Sequence, residues 1–417
     1  MRALQLLYDL LARSVTATIL RPWLRLMCTV GRDEPRDCAE RAGSVSVSLR
    51  NGGKRILVHG ASAGELFLVE PVLQRLAHRQ ENVSFFLTYA NREGKKAAAL
   101  LKERNPRIVL RQYLPWDVHT AIDSWIATLR PDLLVLVEME LWPNLIRACR
   151  TRSVPVCMVN ARIFDNVRWL YTNPLFASTF SSLSGVFARN ETEAARYRSL
   201  GTPGEAVRCV GDLKWVSAVP AAGNPQVTGH IVGASLHAPE DRMLLNLFPV
   251  LRRDHPGLRF VLAPRRLAAA PGILATARRM GLRSSMSSSL HRHTEPWEIL
   301  VVDEIGVLRS FYEHAAGVVV GGSFVPRGGH NPAEVAAAGT AIVIGPFVGN
   351  VVEIVDELGK ENAIAKVRHR SELLHAIDAL LTDPAGAKGM GTRARVCWQR
   401  HQDIAEAYVT ALEQALR

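Results

Sequence analysis

Several acidic and basic side chains in this 417-residue sequence stand where they could do acid–base or charge-stabilising chemistry. HGASAGE (59–65) follows a short apolar run, and a βα turn there would open at a strand's carboxyl end. Glu65 could then remove a proton from an attacking hydroxyl. The same Ser62-x-x-Glu65 spacing also makes a capping box that needs no ligand. LVEMELWPN (136–144) puts Glu138 and Glu140 at another strand end, before Trp142-Pro143. Two carboxylates beside a buried strand suit a site; acids at a helix start next to a proline are the plainer alternative. NAR (160–162) closes the next apolar run, and GDLKW (211–215) offers Lys214 to a phosphate or a sugar carboxylate. Taken alone, Lys214 also reads as an ordinary exposed lysine. APRR (263–266) places Arg265 and Arg266 at a later strand end, suited to a phosphate.

The densest motif is GGSFVPRGGHNPAE (321–334). A strand ends in Gly321-Gly322, a loop with Arg327, Gly328 and Gly329 follows, and a helix is expected to open near Asn331. Glycines allow close backbone approach, and free N–H groups at a helix start favour an anion, with His330 or Arg327 alongside. Glu334 could accept hydrogen bonds from sugar hydroxyls. Asn331 as N-cap, Pro332 at N1 and Glu334 at N3 would also start a helix with no ligand. That leaves the glycines, Ser323 and His330 unexplained. The motif is neither a Walker loop nor a dinucleotide fingerprint.

Other chemistries lack their residues. No G-x-S-x-G, S-x-x-K or H-E-x-x-H occurs, and nothing calls for a metal or another cofactor. The six cysteines (28, 38, 149, 157, 209, 397) are scattered without C-x-x-C or zinc spacing, which fits a reducing compartment. No aromatic-basic or helix-turn-helix signature for nucleic acid stands out.

These side chains need strands to hold them. Apolar runs at 55–59, 83–89, 107–113, 132–138 and 155–159 alternate with helix-length stretches at 65–79, 93–104 and 118–129. The alternation resumes at 230–234, 258–263, 298–303, 317–322 and 340–345. Continuous apolar strands separated by helices predict parallel sheets covered on both faces. The break at 219–229 (VPAAGNPQVTG) is uncharged, small and Pro/Gly-rich, so it reads as a linker between two domains, 33–218 and 230–417. Ligands in such folds sit at the carboxyl ends of strands, here expected to face a cleft between the two domains. RSSMSSSLHRH (283–293) reads as a mobile surface loop, and the run 388–416 as a helix crossing back over the first domain.

Apolar residues make up 48% of the chain and charged ones 22%, enough for sizeable cores. The formal charge is +12, which favours an anionic partner. Residues 1–32 are apolar but broken by Arg2, Asp9, Arg13, Arg21 and Arg25, too interrupted for a spanning helix. With Trp23 they suit a helix lying in an anionic membrane interface. A helix packed on the protein itself and an organelle-targeting peptide are the competing readings.

In order along the chain, HGASAGE, EMELWPN, NAR, GDLK, ASLH (234–237), APR and GGSFVPRGGHNPAE, followed by Gly345-Pro346 and Asn350, resemble the Kdo transferases. These move 3-deoxy-D-manno-octulosonic acid (Kdo) from CMP-Kdo to lipid IVA in lipopolysaccharide assembly. The resemblance implies an α/β GT-B glycosyltransferase of two Rossmann-like, doubly wound domains facing a central cleft. It also implies inverting, metal-independent transfer to a phosphorylated glycolipid, with a membrane-associated N-terminus. Carried over by position, Glu65 would be the general base, and Glu138 and Lys214 would stabilise the transition state. Pro264 and Arg265, the segment Ile305, Gly306 and Val307, and Asn331, Pro332, Ala333 and Glu334 would bind CMP.

The sequence departs from the family pattern on the donor side. Pro-Arg-His-Pro is here Pro264-Arg265-Arg266-Leu267, Gly-Glu-Leu is Gly306-Val307-Leu308, and ASTH with Gly-Glu-Glu is ASLH with Ala238-Pro239-Glu240. These changes keep two alternatives in view: a GT-B enzyme using another nucleotide-activated sugar, and a degenerate glycolipid-binding paralogue. GDLK and GGSF resemble the plant branch, whose members are mitochondrial, so the expected location is the cytoplasmic face of a bacterial inner membrane or a mitochondrion.

Overall fold

The computed structural model describes residues 2–20, 22, 35–45, 52–165, 168–216, 228–290, 296–304 and 306–417. Ile305, Trp23 and most of the 219–229 linker lie outside the described residues. The chain forms two compact units, Met1–Ser217 with Asp403–Arg417, and Ala218–Gln402.

The first unit is built on β1 (Lys54–His59), β2 (Val83–Tyr89), β3 (Ile108–Tyr113), β4 (Leu133–Val137), β5 (Val156–Ala161), β6 (Gly185–Ala188) and β7 (Val207–Cys209). The five runs read as strands are strands, and the sheet is parallel throughout, in the order β3-β2-β1-β4-β5-β6-β7. All five residues of β4 are buried, as expected for a strand covered by helices on both faces. The crossovers run through helices Ala63–Arg79, Arg92–Arg104, His119–Leu129 and Pro143–Thr151. Their apolar faces, with Trp125, Ile126, Leu129 and Leu145, close the core over Leu57, Leu134 and Leu136. The strand order reverses between β1 and β4, and the chain opens its βα turns on both sides of that point.

The second unit repeats the plan with β8 (His230–Leu236), β9 (Phe260–Pro264), β10 (Ser284–Met286), β11 (Ile299–Val301), β12 (Ala315–Val320), β13 (Ile342–Ile344) and β14 (Ala365–Lys366). Its parallel sheet runs β10-β11-β9-β8-β12-β13-β14, so the reversal lies between β8 and β12.

Two local expectations change. The serine-rich stretch at 283–293 is not wholly a loop: Ser284–Met286 is an edge strand and Ser287–Ser289 a short 3-10 turn. Asp303 holds that turn through the Ser287 hydroxyl (2.8 Å) and the Ser288 amide (3.0 Å). Serines that look solvated in sequence are thus fixed by one carboxylate. The run 388–416 is two helices, Pro384–Arg400 in the second unit and Ile404–Ala415 in the first. Within the first unit Arg79 pairs with Glu406 and with Glu413 (3.2 Å).

At the N-terminus, helix Arg2–Val15 turns its polar side inward: Tyr8 donates to Asp117 (2.9 Å) and Asn144 donates to Asp9 (2.7 Å). Leu10 and Leu11 point out, 65% and 55% exposed. The helix therefore packs on the protein through one face and offers an apolar face to its surroundings. Among the described residues no helix is long and apolar enough to cross a membrane.

Candidate active site

In the first unit the candidate residues gather at the carboxyl ends of β1, β4, β5 and β7. β1 ends at His59, and the turn Gly60–Ser62 leads into helix Ala63–Arg79. A Cβ on Gly60 would sit 3.1 Å from the Glu65 Cβ and 3.2 Å from Leu66, so glycine lets the turn close against the first helical turn. The capping contact is present, with Ser62 N–H donating to Glu65 Oε2 at 2.8 Å. Backbone donors lower the Glu65 pKa, yet burial raises it more, and the charges of Glu140 and Glu138 add to the rise. The net result is a carboxyl pushed up from 4.5 to about 7. The carboxyl that caps the helix is thus also the one poised near neutrality.

The acids after β4 have different partners. Glu138 leaves the strand with φ +60°, a left-handed conformation that costs a non-glycine residue energy and recurs at functional sites. Its carboxylate meets Arg162 at 2.8 Å, the arginine of NAR after β5. Asn160 of the same motif also has positive φ (+51°) and accepts the Leu213 N–H at 2.9 Å, which ties the end of β5 to the GDLK turn. Asp212 accepts the Lys214 N–H at 2.9 Å and shapes that turn. Burial depresses the Lys214 pKa, and the charges of Asp212 and Glu138 oppose the depression. Arg162 Nε and the Asn160 amide nitrogen are buried without a hydrogen-bond partner among the described residues, donors of the kind that ligands satisfy. Glu65, Glu138 and Lys214, far apart in sequence, are therefore brought to one end of one sheet, at and beside the reversal point where such folds hold ligands.

Tyr408 was not legible as part of this region. Its hydroxyl is 2.8 Å from the Gly211 carbonyl and accepts the Asn160 N–H at 3.2 Å, so the last helix pins both the β5 end and the GDLK turn. Replacing it with phenylalanine strands the buried Asn160 N–H and removes a donor from the half-buried Gly211 carbonyl. Tyr408→Phe should lower stability by about 1–3 kcal/mol, several degrees in a thermal melt. An unchanged melting temperature would contradict this role.

In the second unit the candidates stand at the carboxyl ends of β8, β9 and β12. Gly321 follows β12, and a Cβ there would be 2.5 Å from the Ser235 carbonyl oxygen, so only glycine lets the loop cross the end of β8. Glu240 is buried and accepts the N–H groups of His237 (2.8 Å), Gly322 (2.8 Å) and Phe324 (2.9 Å). It is a structural anchor that sequence reasoning noted only as part of a departure from pattern. The rings of His237 and His330 stack with 5.2 Å between centroids, and their Nε2 atoms lie 3.0 Å apart. Burial, helped by Arg265 and His237, holds the His330 pKa down at about 4. His237 is also depressed by burial, and the charges of Arg327, Arg265 and Arg266 act on it. A pair of imidazoles is thus kept neutral beside three guanidinium groups, an arrangement suited to an anion.

Pro264 ends β9, and Arg265 N–H donates to the Leu236 carbonyl at 2.8 Å. Gly306 (φ +90°) and Val307 precede the 3-10 turn Leu308–Phe311, and Ile305 lies outside the described residues. The helix expected near Asn331 spans Ala333–Ala338, with Pro332 rather than Asn331 at its N-cap. The cause is an Asn331 side chain that accepts the Ala333 N–H (3.0 Å) and folds Asn331-Pro332 into a turn ahead of the helix. Glu334, in the first turn, pairs with Arg309 at 3.0 Å. Among the described residues no cluster of three His, Cys, Asp or Glu side chains could hold a metal ion.

Residues 36–217 match the family described as 3-deoxy-D-manno-octulosonic-acid transferase (kdotransferase). The probable mitochondrial 3-deoxy-D-manno-octulosonic acid transferase of Arabidopsis thaliana is 29% identical over 365 residues, 83% of this chain and 81% of that protein. The 3-deoxy-D-manno-octulosonic acid transferase of Haemophilus influenzae is 26% identical over 399 residues, 89% of this chain and 91% of that protein. In fold the chain is similar to MurG of Acinetobacter baumannii, with TM-score 0.53 and 14% identity over 87% of this chain and 99% of that one. Two Rossmann-like units with parallel seven-stranded sheets and such neighbours make this a GT-B fold. The first unit thus carries a match to the Kdo transferase family, the chain is similar to Kdo transferases over most of its length, and it is a glycosyltransferase.

Proposed function

We propose that this protein transfers Kdo from CMP-Kdo to a phosphorylated glycolipid of the lipid IVA type, by inversion and without a metal. The observation that carries the reading is Glu65, a carboxyl that ionises near pH 7 at the reversal point of the first sheet. In the reaction the Glu65 carboxylate takes the proton of an acceptor sugar hydroxyl as that oxygen bonds to the anomeric carbon of Kdo. The bond from that carbon to the CMP phosphate breaks in the same displacement, and CMP leaves with the electron pair. Positive charge develops on the sugar and negative charge on the departing phosphate. Glu138, held against Arg162, opposes the first, and Lys214 with Arg162 supplies cations for the second or for the Kdo carboxylate.

The nucleotide falls to the second unit. Pro264, Arg265, Gly306, Val307 and Asn331–Glu334 are the residues assigned to CMP, with Ile305 assigned by sequence alone. Glu334 would exchange its Arg309 contact for a ribose hydroxyl or share it. Substitutions at Arg266 and Val307 make donor identity the sharpest question. Thermal shift with CMP, UMP and GDP answers it, because a ligand that binds the folded state at a hundred times its Kd adds about 2.7 kcal/mol. CMP should raise the melting temperature by several degrees and the other two should not; stabilisation by UMP or GDP alone would assign a different donor.

A lipid acceptor gives the N-terminus its task. Leu10, Leu11 and Val15 are exposed on the first helix beside Arg13, and Trp169 elsewhere on the first unit is 72% exposed. Apolar side chains with arginine on one helix suit the headgroup region of an anionic bilayer, and the excess of 51 basic over 39 acidic residues favours the same surface. Peripheral attachment to the cytoplasmic face of a bacterial inner membrane fits the bacterial relatives, and a mitochondrial membrane fits the plant one.

A further inference from the structure

From Tyr8 onward, helix Arg2–Val15 buries polar side chains and exposes apolar ones. Tyr8 donates to Asp117 Oδ2 at 2.9 Å. Asp9, 7% exposed, accepts the Asn144 side-chain amide at 2.7 Å and pairs with the Arg147 guanidinium at 3.5 Å. Asn144 and Arg147 are three residues apart, on one face of helix Pro143–Thr151. Asp117 is itself fixed, because it accepts the backbone N–H groups of Asn144 and Leu145, each at 2.9 Å.

These partners share a location. Asp117 lies in the loop after β3, and Asn144 opens the helix after the turn that carries Glu138 and Glu140. Both are carboxyl-end positions of the first sheet. Helix Pro35–Arg41 is tied to the same end. Glu40 accepts the N–H of Tyr113, the last residue of β3, at 3.0 Å. Arg41 donates to the Ala90 carbonyl just past β2 at 2.9 Å, and Asp37 pairs with Lys95 in the next helical turn at 2.8 Å.

The polarity of the contact matters. A helix held through leucines would be drawn off by hydrocarbon, which shields apolar surface from water equally well. A clasp of carboxylates and donors meets no such competition, since moving Asp9 into lipid leaves a charge unpaired. Leu10, Leu11 and Val15, all exposed, can therefore meet a bilayer while the helix stays seated.

We propose that Tyr8 and Asp9 are positioning residues: they seat the helix on the carboxyl end of the first sheet, so that an anionic bilayer bound by Leu10, Leu11 and Val15 lies at the end where Glu65 and Glu138 stand. This rests on the reading of the acceptor as a lipid. The helix is then a fixed mount rather than a tether, and the acceptor hydroxyl meets the enzyme at the headgroup layer.

The test compares full-length wild type, Tyr8→Phe/Asp9→Ala and Leu10→Glu/Leu11→Glu on vesicles of phosphatidylglycerol and phosphatidylcholine. The first variant leaves Asp117 on its two helix N–H groups, so helix Pro143–Thr151 keeps its start. Hydrogen exchange is read without substrate. In wild type, vesicles should slow exchange about tenfold over residues 8–18 and the carboxyl-end loops 90–91 and 114–118. The amino-end loops 80–82, 105–107 and 130–132 should not change. Tyr8→Phe/Asp9→Ala should still bind vesicles but show slowing over 8–18 alone, and Leu10→Glu/Leu11→Glu should not bind. Slowed amino-end loops in wild type, or the wild-type pattern in Tyr8→Phe/Asp9→Ala, would overturn the proposal. Should that variant not fold, the wild-type pattern decides alone.

Activity gives a second readout. In Tyr8→Phe/Asp9→Ala, kcat/KM should fall about tenfold on a lipid IVA-type acceptor in vesicles. It should stay at the wild-type value on the same phosphorylated disaccharide stripped of its acyl chains. Equal loss on both acceptors would reduce the clasp to a structural contact and overturn the proposal. Wild type that shows the expected exchange pattern but uses neither acceptor would remove the acceptor reading and still support the mount.

Discussion

Glu65→Ala is expected to lower kcat/KM by about a thousandfold while leaving nucleotide binding unchanged. The reasoning is local. A carboxylate is a useful base for a hydroxyl only if its conjugate acid is not too strong, and burial with Glu140 and Glu138 nearby brings Glu65 to about 7. Wild-type kcat/KM should therefore rise through pH 6–8 and level off above, because the ionised carboxyl is the working form, and the variant should lose that limb. Stability carries the same signature with the opposite sense. The folded-state pKa lies above the unfolded value of 4.5, so the folded protein holds an extra proton between about pH 4.5 and 7. That stabilisation is complete below pH 4.5 and is lost as pH rises through 7. Glu65→Gln, which keeps an acceptor for the Ser62 N–H, should thus raise the melting temperature more at pH 8 than at pH 5. A flat response across this range would mean that the carboxyl is not held near neutrality.

Lys214→Met should cost about 100- to 1000-fold in kcat with little change in KM. The side chain is half-buried, and a cation in such surroundings acts on a developing negative charge more strongly than one at the surface. Asp212 and Glu138 support its charge against the effect of burial. Lys214→Arg should not restore full activity, since a planar guanidinium does not present the point charge and donor geometry of an ammonium group, and the charges of Arg162 and Arg189 already oppose a cation there. A loss of less than fivefold in Lys214→Met, with the protein folded, would take Lys214 out of the transition state.

The parts of the fold that depend on local pattern were legible. β1, β2, β4 and β8 are apolar runs of five to seven residues ended by Gly or by polar residues, and each lies where its run predicts. Two of these carboxyl ends carry HGASAGE and EMEL, so the placement of Glu65 and Glu138 at strand ends followed from reading the strands. Short edge strands escaped. β10 and β14 have three and two residues, too few for a period, and β10 is written in serine because it is only half-buried. The side-chain pairings were also out of reach. His59 meets Glu140 across 81 residues, His237 meets His330 across 93, and Tyr408 meets Asn160 across 248. Nothing in local spacing encodes these contacts; the first two follow from strand order, which puts β1 beside β4 and β8 beside β12, and the third from the last helix packing against the end of β5. Lys214 shows the reverse case. In sequence it looked like a solvated lysine, and only the Asp212 turn, pinned through Asn160 and Tyr408, reveals a half-buried one.

Incubating the purified protein with CMP-Kdo and lipid IVA in anionic vesicles at pH 8, beside Glu65→Ala, tests the central claim in one mass spectrum. Wild type should convert the lipid to species heavier by one or more Kdo units with release of CMP, and the variant should leave it unchanged. Equal product from both would remove Glu65 as base, and an unmodified lipid with folded, CMP-binding wild type would contradict the Kdo transfer to this acceptor.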